Sequence, residues 1–215
     1  MLELGVKFLL AYFIGSIMGA MLVGALRGGV DIRTIGSGNP GGTNALRTQG
    51  WLFAVGVIVI DVGKGAIGAG IVPTLPLVAE DPAVPRDLLI YSCAAATVVG
   101  HVWPIWHRFR GGKGAATVIG TLAVLSPILL VPVLLTWVLF VTTIGYVGLA
   151  TMAAGVAAPI YVAATGLAGS QSLFYYTLFC ALFMIYTHRS NIQRMRSGTE
   201  SRTTKLMLIG RGRTQ

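Results

Sequence analysis

One short stretch, Gly36-Ser37-Gly38-Asn39-Pro40-Gly41-Gly42-Thr43-Asn44, gathers the groups that bind anions, and Arg47 follows three residues later. Its nine residues hold four glycines, two hydroxyls and two amides, with no bulky apolar side chain. Glycine lets backbone N–H groups turn inward without a Cβ clash, and successive inward N–H groups form a concave nest for anions. Ser37, Thr43 and Arg47 add hydroxyl donors and a forked cation suited to phosphate oxygens. A second polar island, Arg108-Phe109-Arg110-Gly111-Gly112-Lys113-Gly114, repeats the theme with a lysine. Two glycine-rich cationic loops point to phosphorylated substrates.

Three further polar groups stand inside or at the ends of apolar runs. Asp61 and Lys64 lie about one helical turn apart, and charges within a bilayer are costly unless paired or functional. An internal ion pair tethering a loop or a neighbouring helix is the plainer reading, with a direct substrate role for Lys64 as the alternative. His188 and Asn191 are three residues apart and would share a helix face. Alone, His188 reads as an interfacial histidine; its case rests on returning to the same side as the two glycine loops. For His101, which follows Gly100, packing and substrate contact stay open.

Several chemistries are excluded or disfavoured. Lys113 is followed by Gly114, so the loop lacks the Gly-x4-Gly-Lys-Ser/Thr spacing of a Walker A motif. No Gly-x-Ser-x-Gly elbow is present, no His/Cys cluster has zinc spacing, and no carboxylate-rich set suggests a divalent ion. No metal and no cofactor is expected. Cys93 and Cys180 lie inside apolar runs and read as small packed hydrophobes. No His-x4-Asp spacing is present either, since Trp106, Gly112 and Gln193 stand five residues beyond His101, His107 and His188.

The elements that position these groups must be membrane helices. Of 215 residues 54% are hydrophobic and 11% charged, against about 25% charged in a soluble domain, and mean hydropathy is +0.77. The net charge of +9 does not indicate nucleic acid, because the basic residues sit at the ends of apolar runs, as the positive-inside rule expects. Apolar spans are expected at about residues 4–26, 51–75 and 88–106. The loops carrying Arg27, Arg33 and Arg47, and Arg108, Arg110 and Lys113, are basic, whereas the loop from Pro76 to Asp87 contains Glu80, Asp81 and Asp87. The basic loops are placed inside and the acidic loop outside.

From Gly114 to Thr187 no residue carries a fixed charge. These residues would make about 111 Å of helix at 1.5 Å per residue, nearly four crossings of a roughly 30 Å core. Breaks are expected near Ser126-Pro127, Gly145 to Gly148, and Thr165 to Gln171. Seven of the sixteen Lys/Arg follow His188, which places the tail in the cytoplasm. The expectation is an all-α integral membrane protein with seven transmembrane helices, an external amino terminus and a cytoplasmic carboxyl terminus. Residues 1–195 form one domain and 196–215 a loose basic tail.

In this order and spacing, the motifs resemble the PlsY family of bacterial membrane acyl-phosphate:glycerol-3-phosphate acyltransferases. The resemblance runs from Tyr12-Phe13-Ile14-Gly15-Ser16 to Glu200. It covers Gly36-Ser37-Gly38-Asn39, Thr43-Asn44, Arg47, Asp61-x-x-Lys64-Gly65, Gly100-His101, Phe109-Arg110-Gly111-Gly112-Lys113-Gly114 and His188-Arg189-x-Asn191-Ile192. Ser190 stands where members often have Glu, Gly42 replaces a common Ala, and Arg110 a common Lys.

The resemblance implies transfer of a fatty acyl chain from acyl phosphate to the 1-hydroxyl of glycerol 3-phosphate, giving lysophosphatidate and phosphate. A membrane transporter of a phosphate ester is the alternative. Ser37, Arg47, Lys113, His188 and Asn191 are carried over as catalytic. Gly36, Gly38, Asn39, Gly41, Thr43, Asn44, Gly111, Gly112, Gly114, Lys64 and His101 are carried over as substrate- or phosphate-binding, and Asp61 and Glu200 as structural. Implied partners are the two substrates, membrane lipids and an acyl-phosphate-producing enzyme, at the bacterial inner membrane with the site facing the cytoplasm.

Overall fold

Within a bilayer every backbone N–H and C=O must find a partner inside the protein, which leaves helices as the way for an apolar chain to cross. The computed structural model describes residues 1–167, 171–204 and 207, and their regular structure is all helical, with no strand among them. They fall into two compact units, Met1–Leu125 and Ser126–Gln215.

The first unit begins with α1 (Leu2–Gly15) and α2 (Gly19–Leu26). Together they fill the first apolar run, but they meet at a 43° bend. After the short amphipathic α3 (Gly42–Gln49) comes α4 (Trp51–Ala66), which continues through a π-helical turn at Ile67–Ile71 and a 3-10 turn at Val72–Thr74. α5 (Arg86–Val102) and α6 (Ala115–Leu125) complete the unit. Small residues let these helices approach backbone to backbone, the usual device of membrane helix pairs. Gly15 of α1 lies against the Thr97 backbone of α5, and Gly65 of α4 against the Thr117 backbone of α6, with no room for a Cβ at either glycine.

At one end of this unit, α1 carries Glu3 and Lys7, both buried. Lys7 Nζ donates to Glu3 Oε1 (2.8 Å) and to the Pro73 carbonyl (2.7 Å). The Arg86 guanidinium donates to both Glu3 oxygens (2.9 and 3.1 Å), and the Asp81 N–H to Oε2 (2.9 Å). The acidic loop is thereby fastened to the start of α1, and the terminal amine adds an ion pair to Asp81.

The second unit holds α7 (Leu130–Thr143), α8 (Val147–Thr165), α9 (Gln171–Thr187) and α10 (Arg189–Arg196). α8 packs between α7 and α9; Trp137 Nε1 pins it to α7 through Thr151 Oγ1 (3.3 Å), and Gly155 rests against Met184 and Ala181 of α9. The expected breaks fall where helices end. Pro127 opens a 3-10 turn after Ser126, Gly145 takes φ +84°, and α8 stops at Gly166 with φ +59°. Residues 168–170 of the third break lie outside the described residues.

Beyond α10 the chain folds back on its own unit. The Thr203 N–H donates to the Gly145 carbonyl (2.8 Å), and the Arg202 guanidinium lies 4.8 Å from the centre of the Tyr146 ring. Of the expected loose tail, residues 205–206 and 208–215 lie outside the described residues.

Three described helices are long and apolar enough to cross a membrane, Trp51–Thr74, Arg86–His107 and Val147–Thr165, and the bent α1–α2 pair makes a fourth if it is a single span. Ala115–Leu125, Pro127–Thr143 and Gln171–Thr187 are apolar but shorter.

Because Glu3 alone joins Lys7, Arg86 and the Asp81 backbone, Glu3→Gln should lower the melting temperature of the detergent-solubilised protein. Asp87→Asn, on the exposed side of the same turn, should leave it in place.

Candidate active site

The nonapeptide is a loop feeding a helix. Asp31 opens a 3-10 turn at Ile32–Thr34 by accepting the Arg33 N–H (2.9 Å), and the Arg33 guanidinium returns to both carboxylate oxygens (2.7 to 3.1 Å). This fork holds the Asp31 carboxyl below the ordinary carboxylate range. Gly36 and Gly38 then take positive φ, +62° and +69°, a conformation that only glycine enters without strain. Gly41 caps α3.

Asn44, in the first turn of α3, is buried and folds the loop onto the helix. Its Nδ2 donates to the Ile32 and Ile35 carbonyls (3.0 Å each), and its Oδ1 accepts the Ser37 N–H (3.0 Å). A Cβ at Gly36 would strike that same Oδ1. Asn44 thus sets the loop shape, while Ser37, Thr43 and Arg47 are exposed. Thr43 and Arg47 are four residues apart, so they share one face of α3.

The second loop is seated on the end of α5. The Gly111 N–H donates to the Val102 carbonyl (3.1 Å) and the Gly112 N–H to the His101 carbonyl (3.1 Å). Gly112 lies flat on the His101 ring, where a Cβ would overlap Nε2. Gly114 takes φ +91°, and its carbonyl accepts the Val118 N–H (2.9 Å) as α6 begins. Lys113 therefore stands just before a helix N-terminus, where N–H groups and the helix dipole favour an anion.

Behind this loop lie Asp61, Lys64 and His101, all buried. Lys64 Nζ has three N–H donors and three acceptors: Asp61 Oδ1 (2.9 Å), the Ile17 carbonyl (2.6 Å) and His101 Nδ1 (2.8 Å). Asp61 Oδ1 also accepts the Gly19 N–H (3.2 Å). The bend between α1 and α2 leaves the Ile17 carbonyl and the Gly19 N–H outside the helical ladder, and the ion pair satisfies both. With its donors so engaged, Lys64 fits the tether reading better than the substrate reading. His101 Nδ1 also stands 3.5 Å from Asp61 Oδ1, and its Nε2 faces Gly112.

The two loops face one another across a cleft of about 490 Å³. One wall comes from Arg33, Thr34, Gly38 and Pro40, the other from Trp106, Arg108, Arg110 and Gly111. Segments some seventy residues apart in sequence thus meet on one side of the unit.

In the second unit His188 caps α10. Its Nδ1 lies 2.8 Å from the Met184 carbonyl, which can only accept, so Nδ1 carries the proton and neutral His188 keeps its lone pair on Nε2. Asn191 Nδ2 donates to Glu200 Oε1 (2.7 Å), and Arg194 Nε holds the other Glu200 oxygen (2.6 Å). Gly148 of α8 packs against the Asn191 amide. Glu200 therefore orients Asn191. Among the described residues no three His, Cys, Asp or Glu side chains group to hold a metal ion.

Residues 6–198 match the family described as glycerol-3-phosphate acyltransferase. A glycerol-3-phosphate acyltransferase of Salinibacter ruber is 38% identical over 230 residues, covering 99% of each chain. The chain belongs to the glycerol-3-phosphate acyltransferase family. Another relative of that name, from Coxiella burnetii, is 36% identical over 197 residues, covering 92% of this chain and 96% of its own. Crystal structures of PlsY (YgiH), an integral membrane glycerol 3-phosphate acyltransferase, in glycerol 3-phosphate and lysophosphatidic acid forms share its fold. The TM-score is 0.76 at 29% identity for both, over 93% of this chain and 94% of theirs.

Within this family architecture, three roles escaped sequence reasoning. Arg33 and Asp31 brace the first loop, Arg108 and Arg110 line the cleft, and Arg194 fixes Glu200. Only the Asp31-x-Arg33 spacing could have been noticed beforehand, since the other contacts are made by folding.

Asn44→Ala removes three hydrogen bonds from a buried site and should cost roughly 3 kcal/mol in thermal unfolding. Asn44→Asp should cost at least as much although its shape is conserved, because both lost donors face carbonyls. The Asp31–Arg33 fork contributes above the unfolded aspartate value, about pH 4, and fades as pH falls through the lower folded value. The stability gap between wild type and Asp31→Asn should therefore be full at neutral pH and close in strong acid.

Proposed function

We propose that the chain transfers a fatty acyl group from an acyl phosphate to the 1-hydroxyl of glycerol 3-phosphate. The hydroxyl oxygen attacks the acyl carbonyl carbon, the C–O bond to phosphate breaks, and the hydroxyl proton leaves with the departing phosphate. The products are lysophosphatidate and inorganic phosphate. The single observation that carries this reading is the meeting of two glycine-rich, cationic loops across one cleft, as two phosphorylated reactants require. The PlsY forms with glycerol 3-phosphate and with lysophosphatidic acid correspond to an acceptor and a product of this reaction.

In this reading Arg47 and Lys113 neutralise phosphate charge, and Ser37, Asn39 and Thr43 add hydrogen bonds. The backbones of Gly36, Gly38, Gly41, Gly111, Gly112 and Gly114 allow close approach, and their N–H groups stabilise the carbonyl oxyanion. Asn44 and His101 act by holding the two loops. His188 and Asn191 enter the reaction through their motif, with His188 Nε2 as one candidate base and a substrate phosphate oxygen as the other. An acyl phosphate is already activated, so the transfer draws on no cofactor.

Seven crossings with an external amino terminus are the topology this reading adopts. Its supports are the helix ends at the expected breaks and the basic character of the loops on the site's side. On this reading the site lies at the cytoplasmic face of the bacterial inner membrane, within reach of an enzyme that makes acyl phosphate.

Purified protein given acyl phosphate should release phosphate only when glycerol 3-phosphate is also present. Arg47→Ala and Lys113→Ala should each cut that rate by at least a hundredfold, as expected for loss of a preorganised charge contact, while the protein still inserts into membranes. Near-normal rates in both would reject the phosphate clamp, and an acyl adduct trapped on Ser37 would replace direct attack with a covalent route.

A further inference from the structure

The chain after α10 is polar and basic, yet its nearer part is built into the second unit. Gly198 turns the backbone with φ +73°, and the Arg194 carbonyl then accepts both the Thr199 N–H (2.8 Å) and the Glu200 N–H (3.1 Å). The Arg194 side chain reaches Glu200 Oε2 (2.6 Å). Glu200 is therefore held through backbone and side chain alike, and its other oxygen accepts from Asn191 Nδ2 (2.7 Å). A carboxylate can only accept, so Nδ2 must face it, and the orientation of the Asn191 amide is fixed.

The residues just beyond Glu200 grip the connection between α7 and α8. Gly145 follows α7 with φ +84°, the left-handed conformation that commonly ends a helix. Its carbonyl accepts the Thr203 N–H (2.8 Å). Where a side chain would stand on Gly145 lie the Met207 thioether and the Arg202 β-carbon, and Met207 is buried. The Arg202 guanidinium lies over the ring of Tyr146, which is the N-cap of α8. Gly148, in the first turn of α8, packs against the Asn191 amide. Asn191 thus stands between the Glu200 carboxylate and the start of α8, and residues after α10 hold both.

We propose that Glu200, Arg202, Thr203 and Met207 form a positioning strap for Asn191. The inference rests on the acyl-transfer reading, in which Asn191 takes part in the reaction. The strap acts through that amide, from one side by a hydrogen bond and from the other by seating the turn that carries Gly148. A displacement of about 1 Å in a reacting group can lose about a hundredfold in rate. Loosening the strap should therefore show in turnover before it shows in stability.

The test uses the full chain in detergent. The Thr203 amide should exchange hydrogen slowly in the wild type and quickly in the double variant Arg202→Ala with Met207→Ala. That variant should release phosphate at least tenfold more slowly, with its melting temperature moved by less than about 3 °C. Arg202→Lys with Met207→Leu keeps a cation over Tyr146 and an apolar cover on Gly145, and should restore both exchange and rate. In an Asn191→Ala chain, adding the alanine pair should cost less than about twofold further, because its effect passes through Asn191. Fast exchange at Thr203 in the wild type, an undiminished rate in the alanine pair, an equal loss with and without Asn191, or no recovery in the Lys/Leu pair would each overturn the proposal. A wild type that releases no phosphate would instead overturn the acyl-transfer reading, and Thr203 exchange would then judge the strap's contacts by itself.

Discussion

The first unit depends on the buried contact between Asp61 and Lys64. Two charges removed from water are tolerable only when every donor and acceptor around them is matched, and here the matching partners come from three places in the chain. The Ile17 carbonyl and the Gly19 N–H belong to the bend between α1 and α2, the carboxylate and ammonium to α4, and the imidazole to α5. One ion pair therefore fixes a helix bend, a helix–helix packing and the orientation of His101. The second glycine loop rests on that imidazole through Gly112.

The first glycine loop solves the same problem with a neutral group. Asn44 fills the role that a turn of helix would otherwise play, taking two carbonyls and one N–H from the loop. The two loops thus have different supports, an amide for one and an ion pair with a histidine for the other. Both supports are buried, and the groups they present are on the surface. In both loops the backbone is held in place from beneath.

Much of this was readable in the chain because the determining chemistry is local. The breaks at Pro127, Gly145 and Gly166 are set by a residue lacking an N–H or by glycines at positive φ. The pairing of Asp61 with Lys64 follows from their spacing on one helix. Other features depend on partners far along the chain and left no local mark. α3 is polar and only eight residues long; its sequence reads as loop, and burial of Asn44 and Ala45 makes it helical. The bend at Ser16–Met18 sits inside an unbroken apolar run, and the groups that stabilise it are more than forty residues away. The joining of Arg33 with Arg108 and Arg110 in one cleft needs the folded backbone to be seen.

Gly111 and Gly112 sit in a connecting segment, yet each has the steric freedom of a position in the middle of a packed core. Their missing side chains are occupied by the His101 carbonyl and ring. A methyl group introduced at 112 would push on the imidazole, then on the ammonium beyond it, and so on the kink between the first two helices. Tolerance to substitution in this protein should therefore follow mechanical connection to the interior rather than distance from the membrane surface, and a hairpin that looks permissive should prove among its least forgiving places.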